Sequence, residues 1–199
     1  MAAMELARAA LERTEVWQFG VVILFFHVSE YALAVAFHGL SNVTRSTLMM
    51  DLEYVIMIAC AFVEYTIELA IFPALKNQWL SKAGLVMVLV GEAIRKISIL
   101  TAGRAFTHTI RTHHEDHHKL ITHGIYKFMR HPGYCGYFIT AAGTQVLLCN
   151  PICIVPIVVG TWQFFSSRIQ YEELFLRQFF GPRYEEYCNR VPSGLPFVK

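Results

Sequence analysis

The sequence predicts an all-α membrane protein of about five transmembrane helices, and three observations carry that expectation. Of 199 residues, 55% are hydrophobic and only 16% charged, against about 25% charged in an average soluble domain. A chain of this size leaves much of its surface exposed, so the apolar excess has to face lipid. That excess is gathered into stretches of nearly 20 residues or more, the length a helix needs to cross a hydrocarbon core. Finally, residues 131–167 contain no Asp, Glu, Lys or Arg and are broken only by Asn150-Pro151. Such a run reads as two spanning helices joined by a tight turn, because proline cannot continue the preceding helix and suits a first helical position.

Taken in order, the expected spans are 16–38, 54–75, 83–103, 132–149 and 151–167, in a single membrane domain covering 1–199. The leading segment MAAMELARAALERTE carries three Glu and no small-residue cleavage pattern, so the first span reads as retained rather than as a cleaved signal. A polar loop, 104–131, contains five Lys/Arg, two acids and, up to Arg130, six of the nine His; a polar tail, 168–199, contains five Lys/Arg and four acids. The hairpin returns these two segments to one side, and their Lys/Arg excess makes that side cytoplasmic. Five spans then place the N-terminus on the far side, an arrangement that would be regularised by helices preceding residue 1 or by one re-entrant span. Glu30, Glu64, Glu68 and Glu92 fall inside spans, where charge is costly and faces the bundle interior; they read as pairing between helices, with Arg95 and Lys96 neutralising Glu92. The five cysteines suggest no disulfide framework, and Cys60 and Cys135 read as core fillers. A formal net charge of +2 gives no global field for nucleic acid.

Two constellations could carry chemistry. His114-Glu115-Asp116-His117-His118 is a formal H-E-x-x-H, which on a helix would set two imidazoles around zinc; here it lies in a polar loop, and the reading favoured is a solvated His-rich segment with no metal. The stronger constellation is Arg130-His131-Pro132-Gly133-Tyr134-Cys135-Gly136, an R-H-P-x-Y-x-G sequence where a polar loop enters an apolar helix. Its first turn should offer backbone donors, with Gly133 and Gly136 letting a flat group approach. At the far end of the hairpin, Arg168 and Glu172 share a helix face at i, i+4, followed by Glu173. The hairpin brings them near the R-H-P-x-Y-x-G start, giving a site that can hold both an anion and a cation.

These residues resemble the eukaryotic isoprenylcysteine carboxyl methyltransferases. The resemblance runs through R-H-P-x-Y-x-G, the GTQVLLCNPIC run of 143–153, Arg168 with Glu172-Glu173, Phe179-Phe180-Gly181 and the RVPSGLPF run of 190–197. Upstream, His27-x-Ser29-Glu30-Tyr31, Leu52-Glu53-Tyr54 and Gly91-Glu92-x-x-Arg95-Lys96 agree as well. The resemblance implies methyl transfer from S-adenosylmethionine to the terminal carboxylate of a prenylated cysteine, in CAAX-processed proteins such as small GTPases, at the endoplasmic reticulum membrane. It implies cofactor contacts at His118, Lys119, Leu120, Ile121, Tyr126, His131, Pro132, Gly133, Tyr134 and Glu172, with Arg111 where the family usually carries Gln. Arg168 and Glu172 are the expected catalytic pair, Arg168 holding the substrate carboxylate. Three other readings stay open: an NADPH-dependent sterol-reductase-like enzyme, an H-E-x-x-H zinc membrane protease and a non-catalytic membrane protein on the same scaffold. The sequence carries no signal for oligomeric state or for farnesyl over geranylgeranyl.

Overall fold

The computed structural model describes residues 13–43, 47, 50–113 and 119–199, and among these every regular element is helical. Five long helices and one short one follow in order: α1 (Thr14–His38), α2 (Leu52–Ile71), α3 (Gln78–Ala102), α4 (Pro132–Leu148), α5 (Ile154–Phe180) and α6 (Pro182–Arg190). α1 and α2 are long and apolar enough to cross a membrane, with mean hydropathies of 1.9 and 1.8, and only a third or less of each apolar window is buried inside the protein. The exposed side chains are large and apolar, among them Val21, Leu24, Phe25, Ile56, Val63 and Ile67. A surface of this kind is solvated by lipid rather than water.

Helix starts follow from local chemistry. Asp51 Oδ1 accepts the Tyr54 amide at 2.9 Å, and Asn77 Oδ1 accepts those of Trp79 and Leu80 at 2.8 and 3.2 Å, so each caps orphan donors of the helix that follows. The second expected span ends early, at Ile71, because Pro73 opens a separate turn over Pro73–Leu75. The hairpin differs more. Pro151 does not begin a helix; α5 starts at Ile154, after Cys149 adopts a left-handed conformation at φ 54° and a turn covers 151–153. The missing cap is supplied from α2, where the Glu64 carboxylate accepts the Ile152 and Cys153 amides, both at 2.7 Å. At the other side of the turn, buried Lys76 donates to the Leu148 carbonyl at 2.9 Å and to Glu68 at 2.6 Å. An anion at the start of α5 and a cation at the end of α4 each oppose the local helix dipole.

The centre of the fold is the antiparallel pair α3 and α4, which approach to backbone contact through glycine. A Cβ on Gly84 would lie 2.1 Å from the Leu147 nitrogen, one on Gly91 would lie 2.7 Å from the Gly136 carbonyl, and one on Gly136 would lie 2.7 Å from the Arg95 nitrogen. Small residues at such crossings let helices gain dispersion contact where lipid offers no hydrophobic drive. Gly136 is therefore a packing residue, and the expectation that it opens the helix end to a ligand is corrected. Cys60, expected in the core, is exposed on α2, and all five cysteines are free thiols.

The fifth helix runs 13 residues past the expected end of its span, so Arg168, Glu172 and Glu173 lie within continuous helix and not in a tail. Gly181, at φ 52°, ends it and turns the chain into α6. The final residues then fold back, with the Pro192 and Ser193 carbonyls accepting the Arg130 and His131 amides, both at 2.9 Å. Leu195 and Val198 are buried against Phe165 and Ile169 of α5.

Candidate functional site

An open cleft enclosing about 750 Å³, mouth included, lies where the end of α3, the loop after it, the start of α4 and the outer half of α5 meet α6. Its wall contains Lys119, Leu120, Ile121, Tyr126, His131, Pro132, Gly133, Tyr134 and Glu172, nine of the positions expected from sequence. Arg111 and Arg168 are not in that wall, and His118, with the whole H-E-x-x-H window 114–118, falls outside the described residues. Among the described residues no group of three or more His, Cys, Asp or Glu could hold a metal ion.

The R-H-P-x-Y-x-G start is held from two directions. Arg130 donates through Nε to Glu173 at 2.9 Å and through Nη1 to the Val191 carbonyl, and its Nη2 stands in ion-pair contact with the same Glu173 oxygen at 2.7 Å. His131 donates from Nε2 to Glu173 at 3.0 Å. Burial alone would raise the Glu173 carboxyl, but the hydrogen bonds and charges of His131 and Arg130 outweigh it and hold the group below the usual carboxylate range. The first helical turn offers fewer free donors than expected, because the Tyr134 and Cys135 amides both go to the His131 carbonyl at 3.1 Å.

Tyr134 joins the cleft to Arg168. Its hydroxyl donates to Glu172 at 2.6 Å and accepts from Arg168 Nε at 3.0 Å, so the expected i, i+4 pair communicates through the phenol. The ring is clamped between His131, stacked at 5.5 Å, and Phe165, stacked at 4.8 Å. Glu172 keeps 28% of its side chain exposed while its neighbour Glu173 keeps 2%. Adjacent carboxylates therefore divide the work: one is consumed by internal ion pairs and the other faces the opening.

The rest of the wall was not picked out from sequence. Leu176 and Phe180 stand four and eight residues beyond Glu172 on the same face of α5, a spacing from which they could have been found. Phe106 and Thr107 come from the loop after α3, and Tyr184 and Tyr187 from α6, for which no local pattern exists. The Tyr184 hydroxyl is buried beside the Cys188 side chain. Burial pushes the Tyr187 hydroxyl up to about 12, so it stays a donor, to the Tyr126 carbonyl at 2.6 Å.

The family model described as isoprenylcysteine carboxyl methyltransferase (ICMT) matches residues 84–178, the α3–α5 region that builds this site. A probable protein-S-isoprenylcysteine O-methyltransferase of Oryza sativa subsp. japonica is 55% identical over 188 residues, covering 94% of this chain and 98% of that one. The chain belongs to the isoprenylcysteine carboxyl methyltransferase family. Protein-S-isoprenylcysteine O-methyltransferase A of Arabidopsis thaliana is 52% identical over 177 residues, 88% of this chain and 90% of its own. The fold is that of a solved structure of a eukaryotic intramembrane Ras methyltransferase of the family, at a TM-score of 0.88 and 37% identity, over 94% of this chain and 69% of that one. Helix order and the glycine-packed α3–α4 pair thus serve a family scaffold in an integral membrane protein.

Proposed function

We propose that this chain transfers a methyl group from S-adenosylmethionine to the C-terminal carboxylate of prenylated cysteine in CAAX-processed proteins, small GTPases among them, at a site facing the cytoplasm in the endoplasmic reticulum membrane. The observation that carries the reading is the Glu172–Tyr134–Arg168 chain, which sets an exposed carboxylate on the cleft side of one phenol and a guanidinium on the other. With family membership, that arrangement suits a reaction between a cationic methyl donor and an anionic acceptor. Five spans, α1 to α5, carry the scaffold across the bilayer in this reading.

The cleft's donor set fits the cofactor. A zwitterionic amino acid, a ribose and an adenine ask for a carboxylate, a cation, hydrogen-bonding groups and apolar walls. Glu172, Lys119 and Tyr126 supply the first three, and Leu120, Phe106, Leu176 and Phe180 the last. His118, which lies outside the described residues, is proposed as a further cofactor contact on the family resemblance alone, and Arg111 as a rim cation. When bound, the cofactor supplies an electrophilic methyl group on a sulfonium.

What remains for the protein is placement. The acceptor carboxylate is ionised at neutral pH, so no general base has to act on it. Arg168 orients it, since guanidinium holds carboxylates in a planar geometry. Tyr134 ties that guanidinium to the cleft, and the His131 and Phe165 rings exclude water from the phenol, an effect of proximity and desolvation. The prenyl chain gains about 0.8 kcal/mol per methylene from the bilayer, so it enters laterally between helices while the cofactor enters from the cytoplasm.

Transfer of labelled methyl from S-adenosylmethionine to N-acetyl-S-farnesylcysteine by the purified protein in detergent tests the reading. Activity is expected in the wild type, loss of at least about 100-fold in Arg168→Ala and Glu172→Ala, and no effect of chelators. An inactive wild type, or full turnover in both variants, overturns it.

A further inference from the structure

The loop after α3 touches the site in a way that the cleft does not explain. Arg168 Nη2 donates to the main-chain carbonyl of His108 at 2.6 Å, as its Nε does to Tyr134. Two of its three nitrogens are thus fixed by the protein, and the Tyr134 and Phe164 rings cover it at 5.7 and 5.9 Å. A guanidinium held this way can present its remaining edge in one orientation, provided the carbonyl that holds it does not move. That carbonyl belongs to a loop residue with no helix to support it.

Its support comes from α1. The His108 imidazole donates from Nε2 to Glu30 Oε2 at 2.8 Å, and Glu30 is fully buried. Glu30 is itself fixed by Arg95, from Nε at 2.8 Å and from Nη2 at 2.9 Å, and by the Lys96 ammonium. Two residues earlier, the Phe106 carbonyl accepts from His38 Nε2 at 2.8 Å. The loop is therefore stapled to α1 by two imidazoles on either side of Thr107. Arg95 also donates from Nη1 to the Gly133 carbonyl at 3.0 Å, so one carboxylate ties both the Arg168 support and the cleft's helix start to α1.

We propose that His108 is a positioning residue for Arg168: its ring, anchored on Glu30, fixes the carbonyl that sets the orientation in which the guanidinium meets the substrate carboxylate. This rests on the substrate-binding role proposed above for Arg168. The linkage runs from Glu30 through the imidazole and the His108 main chain to the guanidinium, and its two non-covalent steps are hydrogen bonds with a charged group at one end. The first helix, distant in sequence from all the family motifs of the cleft, thereby acts on the reacting end of the substrate.

The test uses the full chain in detergent with S-adenosylmethionine and N-acetyl-S-farnesylcysteine. His108→Ala is expected to lower kcat/KM for the prenylcysteine about tenfold, chiefly through KM, with the Kd for S-adenosylmethionine unchanged. His108→Gln, whose amide can still donate to Glu30, is expected to recover activity to within about threefold of wild type. Because the ring acts through Arg168, His108→Ala in an Arg168→Lys background is expected to cost less than about threefold, the non-additivity of coupled residues. An undiminished tenfold loss in that background overturns the proposal, as does parallel loss of cofactor affinity, a normal His108→Ala enzyme, or His108→Gln no better than His108→Ala. A wild type without methyl transfer fails the methyltransferase reading itself, a separate outcome.

Discussion

At the scale of single residues, the charges buried in this chain divide into those that build the scaffold and those that face the cleft, and neighbours in sequence fall on opposite sides of that division. Glu173 collects Arg130, His131 and, at 3.3 Å, Arg177, whereas Glu172 meets the opening. Because the folded Glu173 carboxyl sits below its ordinary 4.5, its contribution is complete above that value and is lost as pH falls through the lower folded one. The wild type is accordingly expected to lose thermal stability between pH 5 and 3 more steeply than Glu173→Gln does, read as the midpoint of unfolding in detergent at each pH. Removing the carboxylate at neutral pH is a larger insult. Glu173→Ala leaves a buried guanidinium unpaired, at about 3–5 kcal/mol, and is expected to lower the midpoint by about 10 °C; equal stability of Glu173→Ala and wild type would show that these ion pairs do not hold the helix start. Reading such pairings from sequence succeeded where spacing was local, as for Glu92 and Lys96, in contact at 3.3 Å. It missed the hydrogen bonds that Arg95, assigned to Glu92 at i+3, makes to Glu30 on another helix, and it gave no hint that Lys76 caps α4.

Among the elements, the five long helices were legible because length and apolar content require them, while the contact between α3 and α4 was not. Glycines recur at a spacing of seven on both helices, Gly91 facing Gly136 while Gly84 meets the Leu147 backbone and Gly143 the Val88 backbone, but a seven-residue spacing announces a seam only when its partner is known. Gly136 was read as serving a ligand for that reason, and the Cβ positions show helix packing instead. The consequence is measurable by a matched pair of substitutions. An added methyl on Gly91 would lie 2.5 Å from the Thr140 hydroxyl and 2.7 Å from the Gly136 carbonyl, and on Gly160 would meet nothing within 4 Å. Gly91→Ala is expected to force the helices apart at about 1–3 kcal/mol or more, with a broadened gel-filtration profile. Gly160→Ala should be neutral or raise stability by up to about 1 kcal/mol. Identical behaviour of the two variants would mean that glycine is tolerated, and not required, at the α3–α4 crossing.

For the molecule as a whole, the cleft is assembled from segments far apart in the chain, and its legibility followed that division. Of the nine expected positions that line the cleft, His131, Pro132, Gly133, Tyr134 and Glu172 sit in motifs readable along the chain, whereas Lys119, Leu120, Ile121 and Tyr126 came only from the family resemblance; Phe106, Tyr184 and Tyr187 were not expected, because an aromatic residue in a loop or on a short polar helix has no pattern until the chain closes around it. Closure falls to the last residues. The Pro192 and Ser193 carbonyls accept the Arg130 and His131 amides, Ser193 Oγ donates to the Val198 carbonyl, and Trp162 Nε1 donates to the Pro196 carbonyl at 2.8 Å. Segment 191–199 is thus a strap that pins the helix start of the cleft to α5. Without it, two amides at the cleft lose their acceptors, the Arg130 guanidinium loses the Val191 carbonyl, and Phe165 and Ile169 lose Leu195 and Val198 from their packing. A chain ended after Arg190 keeps every helix and every cleft-wall residue described above. It is nevertheless expected to bind S-adenosylmethionine at least about tenfold more weakly, since each lost main-chain hydrogen bond is worth about 1 kcal/mol and the buried donors left behind cost as much again. Calorimetric titration of the shortened and full-length proteins, with helix content checked by circular dichroism, decides it: equal affinity at equal helicity would show that the strap stabilises the fold without shaping the cleft.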